Sequence, residues 1–399
     1  MHLSIMGSTG SVGRSAISVI EHANASPDDS TFTIEALTAN RDVDTLARQA
    51  VTHGAKLAVI ADASLYARLK EQLAGTDIEV AAGADAVAEA AARPVDRVLA
   101  AIVGIAGLQS TYAALNAGNS VALANKESMV CAGPLLKRVA REKDVSIVPT
   151  DSEHNAMFQV MERSQDVERL VLTASGGPFL NTPLNELHGV TPDQACEHPR
   201  WSMGRKISVD SATFMNKALE LIEAAYLFDM PEACIDVLVH PQSIIHSLVA
   251  YRDGSVLAQL GSPDMKTPIA HALSWPHRRL PTDVDRLSLA DLGRLEFAEV
   301  DAQRFPSIDL ARHTLRQGTG ATIVLNAANE MAVSAFLEGR CRFTEISRTV
   351  SRALEADIHA SFSARGEPDI DAIAALDQEA RRLSEALIAQ PGERTRSHA

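Results

Sequence analysis

HLSIMGSTGSVGRSAISVIEHA, residues 2–23, joins a short apolar run to a glycine-rich turn and then to apolar residues at helical spacing. Strand, tight turn and helix in that order open a dinucleotide-binding unit: the glycines allow close backbone approach, and the helix N-terminus favours a phosphate. The glycines Gly7, Gly10 and Gly13 are spaced GxxGxxG rather than GxGxxG, a variant seen in many NADP-dependent folds. The plain alternative is a strand–helix turn that holds no ligand.

Outward from this stretch the pattern repeats. FTIEALTA (32–39), KLAVIA (56–61), RVLAAIVG (97–104), SVALAN (120–125) and VSIVPT (145–150) read as strands, with helical patterns such as VDTLARQAVTHG (43–54) between them. Strands alternating with helices in units of this size argue for a parallel, doubly wound sheet. From about residue 151 the texture changes. RLVLTASGGPF (169–179), IDVLVHP (235–241) and SIIHSLVAYRDGSVLAQLG (243–261) suggest an α+β region, the last reading as a hairpin around Asp253-Gly254. Residues 277–304 have no strong period and read as a connector. ATIVLNAANEMAVSAFLEG (321–339), TEISRTVSRALEA (344–356) and IAALDQEARRLSEALIA (373–389) are helical, with a frayed polar tail expected from Gly392. The expected architecture is an α/β N-terminal Rossmann-like domain (1–150), an α+β catalytic domain (151–276) containing a flexible loop at about 195–206, the connector, and a C-terminal α-helical bundle (305–399).

The 399 residues carry a formal net charge of −14, which disfavours a nucleic-acid partner because no basic excess is available to displace counterions. Phosphorylated small molecules remain compatible, since a local basic cluster acts inside an acidic chain. The four cysteines, Cys131, Cys196, Cys234 and Cys341, lie far apart without CxxC spacing, which suits a reducing cytoplasm. No signal-peptide pattern and no apolar stretch near the roughly 20 residues that span a bilayer is read, so no membrane partner is expected.

Chemistry collects at the strand ends. Arg41 follows Asn40 after the second strand, where a basic residue suits a 2′-phosphate and an acid a ribose hydroxyl; Asp42 beside it pulls the other way. Asn125, Lys126 and Glu127 follow another strand, placing a lysine to hold a substrate oxygen or, more plainly, a surface Lys–Glu pair. Asp151 and Glu153 follow VSIVPT; if the chain stays extended there, both carboxylates point the same way and call for a cation, or they decorate a solvated turn. Ser175 precedes two glycines. In HPRWSMGRKISVDSATFMNK (198–217), His198, Trp201 and Met203 occupy a Pro/Gly-containing stretch, while Ser211, Asn216 and Lys217 are donors that suit a phosphate. A helix beginning near Ala212 sets Asn216, Lys217 and Glu220 on one face. Asp151, Glu153 and Glu220 together would make a hard oxygen site for Mg²⁺ or Mn²⁺.

In order along the chain, GSTGSVG, ALANKES, PTDSEHNA, GGPF, HPRWSMGRKISVDSATFMNK, HPQSIIHSLV, DMKTPIAHALSWP and LNAANE resemble the 1-deoxy-D-xylulose 5-phosphate reductoisomerases over nearly its whole length. Arg200 stands where an Asn or Lys-type residue is more familiar. The resemblance implies metal ligation by Asp151, Glu153 and Glu220, with Mg²⁺ or Mn²⁺ favoured and Co²⁺ as a third candidate. It implies that Ser175, His198, Ser211, Asn216 and Lys217 hold the substrate phosphate, and that Lys126 and Ser152 contact its oxygen-bearing carbons. Thr9, Gly10, Ser11 and Val12 would line the NADPH pyrophosphate, Asn40 and Arg41 would lie near the 2′-phosphate, and Asn125, Glu127 and Gly204 would complete the cofactor contacts. Trp201 and Met203 would sit on a loop closing over the substrate, and Glu223 would have a supporting role.

The implied reaction is a skeletal rearrangement, by fragmentation and re-addition or by direct shift, followed by hydride delivery to give 2-C-methylerythritol 4-phosphate. A homodimer is the family expectation. Two rivals differ in what they need. An NADP- and metal-dependent dehydrogenase of a hydroxy acid wants an Arg/Tyr carboxylate clamp. A non-catalytic nucleotide sensor has no need of the three acids.

Overall fold

A computed structural model describes residues 1–26, 31–201, 203–277, 280–360, 362 and 368–390; the tail from Gly392 lies outside the described residues. The chain begins β1 (His2–Met6), α1 (Ser11–Ala25), β2 (Thr33–Ala39), α2 (Val43–His53), β3 (Leu57–Ile60), α3 (Tyr66–Gln72), β4 (Glu79–Ala82) and α4 (Ala84–Ala92). It continues β5 (Arg97–Ala100), α5 (Leu108–Asn116), β6 (Ser120–Leu123), α6 (Lys126–Glu142), β7 (Ile147–Pro149) and α7 (Ser152–Val160). Next come β8 (Val167–Ala174), α8 (Pro192–Cys196), α9 (Arg205–Ala212), α10 (Met215–Leu227), β9 (Ile235–Val239), β10 (Ile245–Tyr251), β11 (Val256–Leu260) and α11 (Lys266–Ser274). A short α12 (Leu289–Leu292) and the two-residue β12 (Ala298–Glu299) lead to α13 (Ser307–Gln317), α14 (Thr319–Leu337), α15 (Phe343–Glu355) and α16 (Ile370–Ala389).

These elements form two compact units, each drawing on separated stretches of chain. The first comprises Met1–Met129, Gly133–Thr173 and Gln242–Glu296; the second comprises Val130–Ala132, Ala174–Pro241 and Phe297–Ala399.

In the first unit seven parallel strands run in the order β4-β3-β2-β1-β5-β6-β7. Strand order reverses between β1 and β5, and ligands of open α/β sheets bind in the crevice outside the carboxyl ends of the strands at such a point. β1 is paired on both sides, with β2 and β5, and Leu3 to Met6 are all buried, as expected of a strand covered on both faces. The core joins Leu3 and Ile5 to Ile17 and Ile20 of α1 and to Ile269 and Leu273 of α11. Each fully buried side chain of that size contributes about 1.5–3 kcal/mol. The edge strand β4, EVAA, is only partly buried, and its weak pattern escaped the sequence reading. In the same unit β10 pairs antiparallel with β8 and with β11, giving the hairpin expected around Asp253-Gly254.

In the second unit β9 pairs antiparallel with β12. One core cluster there packs Val209 and Ala212 of α9 against Ala332, Val333 and Phe336 of α14 and Phe343 and Ile346 of α15. By length and composition α14 is apolar enough to cross a membrane, but 78% of its apolar window is buried, so its composition is that of a core helix. Arg381 of α16 donates to Asp377 at 2.7 Å and reaches Glu330 of α14, which ties these two helices together.

Candidate active site

The glycine-rich turn after β1 is shaped by steric necessity. Gly7 has φ +89°, and a Cβ there would lie 2.8 Å from the Ala101 carbonyl oxygen at the end of β5. A Cβ on Gly13 would lie 2.3 Å from the Gly7 oxygen, so only glycine lets the first turn of α1 fold back on the loop. At Gly10 the nearest atom is 3.4 Å away, and this residue caps α1 with no side-chain hydrogen bond, leaving the helix N-terminus open. Gly10 and Ser11 are exposed; Thr9 and Val12 are half-buried beside them. Two side chains absent from the sequence reading hold the turn: the Gly7 amide donates to Thr38 Oγ1 at 2.9 Å, and the Gln49 amide donates to the Ser8 carbonyl at 3.1 Å. The donor set and the cradle fit a dinucleotide pyrophosphate.

Beyond β2, Asn40 is exposed and Arg41 extends into solvent, pairing with Asp62 at 3.0 Å. Asp42 is occupied in capping α2, where its carboxylate accepts from the Thr45 amide at 3.1 Å. The acid that argued for a ribose hydroxyl is thus used in a helix cap, and the basic residue is left facing outward.

At the ends of β6 and β7 the structure corrects one sequence expectation. The chain does not stay extended past Pro149: Asp151 is the N-cap of α7, accepting from the Ser152 amide at 3.1 Å, and Glu153 lies in the first turn. Both carboxylates therefore sit at a helix N-terminus, where the macrodipole offsets their mutual repulsion. The Ser152 hydroxyl donates to Glu153, and the ammonium of Lys126 pairs with Asp151. Lys126 opens α6 behind the N-cap Asn125, whose side chain accepts from the Ser128 amide at 2.9 Å and donates to the Gly104 carbonyl at 2.9 Å and to Glu127 at 3.1 Å. Lys126 and Glu127 are buried, so the surface Lys–Glu alternative does not hold.

In the second unit Ser175 precedes Gly176 (φ +93°) and Gly177 (φ +65°). A Cβ on Gly177 would approach the Ser211 carbonyl oxygen to 2.8 Å, so this turn is seated against the end of α9. His198 Nδ1 accepts from the amides of Arg200 (3.2 Å) and Trp201 (2.9 Å), which leaves the proton on Nε2 to donate to Ser175 Oγ at 2.9 Å. Burial pushes the imidazole down to about 4, so it is neutral at physiological pH. Arg200 itself donates to the Pro241 carbonyl at 3.3 Å. Trp201 and Met203 are half-buried and Gly204 is exposed; Ser202, within the expected loop, lies outside the described residues.

The helix expected from near Ala212 is two helices. α9 ends at Ala212, Phe214 turns the chain in the left-handed conformation (φ +60°), and α10 starts at Met215. The spacing argument survives the break: Asn216 donates to Glu220, and the buried Lys217 pairs with the same carboxylate. Glu223, one turn on, is fully buried. In each unit, then, an acid proposed as a metal ligand is paired with an ammonium group that balances its charge. The oxygen donors and their charge fit a hard divalent ion.

Three family models tile the chain: 1-deoxy-D-xylulose 5-phosphate reductoisomerase over residues 3–133, the C-terminal domain of that enzyme over 147–228, and the DXP reductoisomerase C-terminal domain over 260–383. The Rhodospirillum centenum 1-deoxy-D-xylulose 5-phosphate reductoisomerase is 51% identical over 389 residues, covering 97% of this chain and 94% of its own. The chain belongs to the 1-deoxy-D-xylulose 5-phosphate reductoisomerase family.

Another reductoisomerase, that of Caulobacter vibrioides, is 50% identical over 98% of this chain and 97% of its own. Among solved structures, the Zymomonas mobilis reductoisomerase in complex with NADPH aligns at TM-score 0.87 and 45% identity, covering 98% of this chain and 99% of that one. A reductoisomerase in complex with NADPH, fosmidomycin and magnesium aligns at TM-score 0.92 and 42% identity, covering 97% and 98%. The fold expected from the glycine-rich turn, with its NADPH-type domain, sheet domain and C-terminal helices, is the fold of these reductoisomerases.

Proposed function

We propose that the chain is an NADPH- and divalent-metal-dependent oxidoreductase that converts 1-deoxy-D-xylulose 5-phosphate to 2-C-methyl-D-erythritol 4-phosphate in isoprenoid precursor synthesis. The observation that carries the reading is a full-length relationship to a reductoisomerase seen with NADPH, fosmidomycin and magnesium. NADPH occupies the turn of Thr9, Gly10, Ser11 and Val12, with Asn40 and Arg41 toward the 2′-phosphate and Asn125, Glu127 and Gly204 completing its contacts. Asp151, Glu153 and Glu220 hold Mg²⁺ or Mn²⁺, with Co²⁺ as an alternative. In this reading residues 1–150 serve mainly the cofactor and 151–276 mainly the chemistry, with a connector to 304 and helical support beyond.

When bound, the metal supplies Lewis-acid polarisation and a template for substrate oxygens, and NADPH supplies the hydride. The protein's own groups do the rest. Ser175, His198, Ser211, Asn216 and Lys217 bind the phosphate; the neutral Nε2–H of His198 and two hydroxyls are donors that need no proton uptake, and Lys217 brings the positive charge. Binding energy from this remote group positions the reacting carbons. Lys126 and Ser152 stabilise negative charge developing on the substrate's oxygens, in a buried setting where a fixed ammonium acts more strongly than in water. Trp201 and Met203 cover the substrate and exclude water.

A homodimer in the cytoplasm completes the proposal. It is supported by the exposed Val256, Leu257 and Leu260 on the edge strand β11, which invite pairing, and by four free cysteines.

The test follows NADPH oxidation at the nicotinamide absorbance with 1-deoxy-D-xylulose 5-phosphate, with Mg²⁺ or Mn²⁺ and with a chelator. Metal-dependent turnover is expected. A folded, NADPH-binding protein that oxidises no cofactor with this substrate would refute the assignment.

A further inference from the structure

Asp210 is a charged residue with 1% of its surface exposed, lying on α9 immediately before Ser211. Its two carboxylate oxygens serve different elements. Oδ1 accepts from the side-chain amide of Asn329 on α14 at 2.8 Å, and Oδ2 pairs with Lys206, in the first turn of α9, at 2.8 Å. Asn329 belongs to the LNAANE stretch, which no step of the proposed chemistry uses, and it is fully buried. We infer that the Asn329–Asp210 hydrogen bond is a positioning contact that sets α9 in the register its end needs to bind the substrate phosphate; the inference rests on the function proposed above.

Four further contacts make α9 a clamped element. Val209 and Ala212 pack on Ala332, Val333 and Phe336, so apolar contact joins the same two helices without specifying their register. A buried charge does specify it, because sliding α9 along α14 would take the Asp210 carboxylate away from the Asn329 amide, whereas Lys206 travels with it on the same helix. At the end of α9, Ser307 Oγ donates to the Thr213 carbonyl at 2.9 Å, and Phe305 stacks on Phe214 with ring centroids 3.8 Å apart. The Gly177 turn, two residues after Ser175, abuts the Ser211 carbonyl. At the other end, Lys206 lies three residues after Met203. Asp210 thus joins the foot of the segment containing Trp201 and Met203 to α14, a helix that carries no proposed ligand.

A purely structural bond would lower stability and leave the two Michaelis constants in proportion. A positioning bond changes one of them. With Asn329→Ala, KM for 1-deoxy-D-xylulose 5-phosphate is expected to rise about tenfold while KM for NADPH stays within about twofold, since Ser211 lies on α9 next to the lost bond whereas the cofactor's one proposed contact there, Gly204, caps the far end of the helix. The exchanged pair Asp210→Asn with Asn329→Asp rebuilds the bond with its polarity reversed and should recover most of the loss. Lys206→Met removes the other arm at a half-buried position and should show the same split, less strongly, even if Asn329→Ala does not fold. Substrate and NADPH constants that move together in Asn329→Ala or in Lys206→Met would overturn the inference while leaving the wild-type reaction intact. A wild type with no turnover on this substrate would overturn the functional reading and the inference with it.

Discussion

The glycine-rich turn of the first unit and the α9–α10 corner of the second are both proposed to hold phosphate, yet they are built in opposite ways. The tightest constraint in the turn is local: a Cβ on Gly13 would meet the Gly7 oxygen six residues back, and the helix that follows supplies the open amides, while Ala101, Thr38 and Gln49 back the turn from farther along the chain. The corner depends on distant chain. Phe214 is held at φ +60°, a conformation that costs a bulky residue energy, by Phe305 and by Ser307, and α9 is held by Asn329, 119 positions from Asp210. A motif made of steric exclusions can be read from a string of letters. A corner made of packing cannot.

Breaking each side of this comparison should give different signatures. The largest effect is expected from Phe214→Ala, which removes a stacked ring only 2% exposed and should cost about 3–5 kcal/mol of stability in chemical denaturation. If the folded fraction keeps normal NADPH affinity while its substrate KM rises, the corner serves the substrate alone; a parallel loss of NADPH binding would contradict that separation.

Next comes Gly13→Ala. The added methyl meets backbone rather than a movable side chain, so about 1–3 kcal/mol of stability and most NADPH affinity should be lost. Gly10→Ala, with its nearest protein contact at 3.4 Å, is the matched control for the steric argument and should lose little stability in chemical denaturation. Equal effects at both glycines would remove the steric argument.

The smallest effect concerns His198, whose imidazole is depressed by burial from 6.5 to about 4. Between those values the unfolded chain binds a proton that the folded protein does not, so stability rises with pH across this window and is level above it. Thermal melts from pH 7 to pH 4.5 should show wild type losing more than His198→Gln; identical slopes would mean that solvent reaches the ring.

Much of the candidate site was legible because its residues act over short spans. Lys217 and Glu220 share a helix face at three residues' separation, and that pairing survived even though the helix was expected to begin in the wrong place. Asp151 and Glu153 were found by their proximity, but the reason they tolerate each other was not: a helix N-cap replaced the extended strand end, and Lys126, 25 positions away, supplied the charge. Asp42, which pulled the cofactor reading toward a ribose hydroxyl, turned out to be a helix cap, a role set by local backbone that the letters permit without announcing.

From sequence alone came six of the seven strands of the first 150 residues and their alternation with helices, the glycine turn, the acids and phosphate donors, and the family. These rest on periodicity and on spacings of a few residues, which backbone geometry converts directly into shared faces and turns. Only the tertiary structure decided that α11 returns to the core of the first unit, that Gln49 and Thr38 brace the glycine turn, and that Asn329 holds Asp210. Those contacts join residues far apart in the chain, and the free energy that selects them, burial of apolar surface and satisfaction of buried polar groups, exists only once the chain has packed.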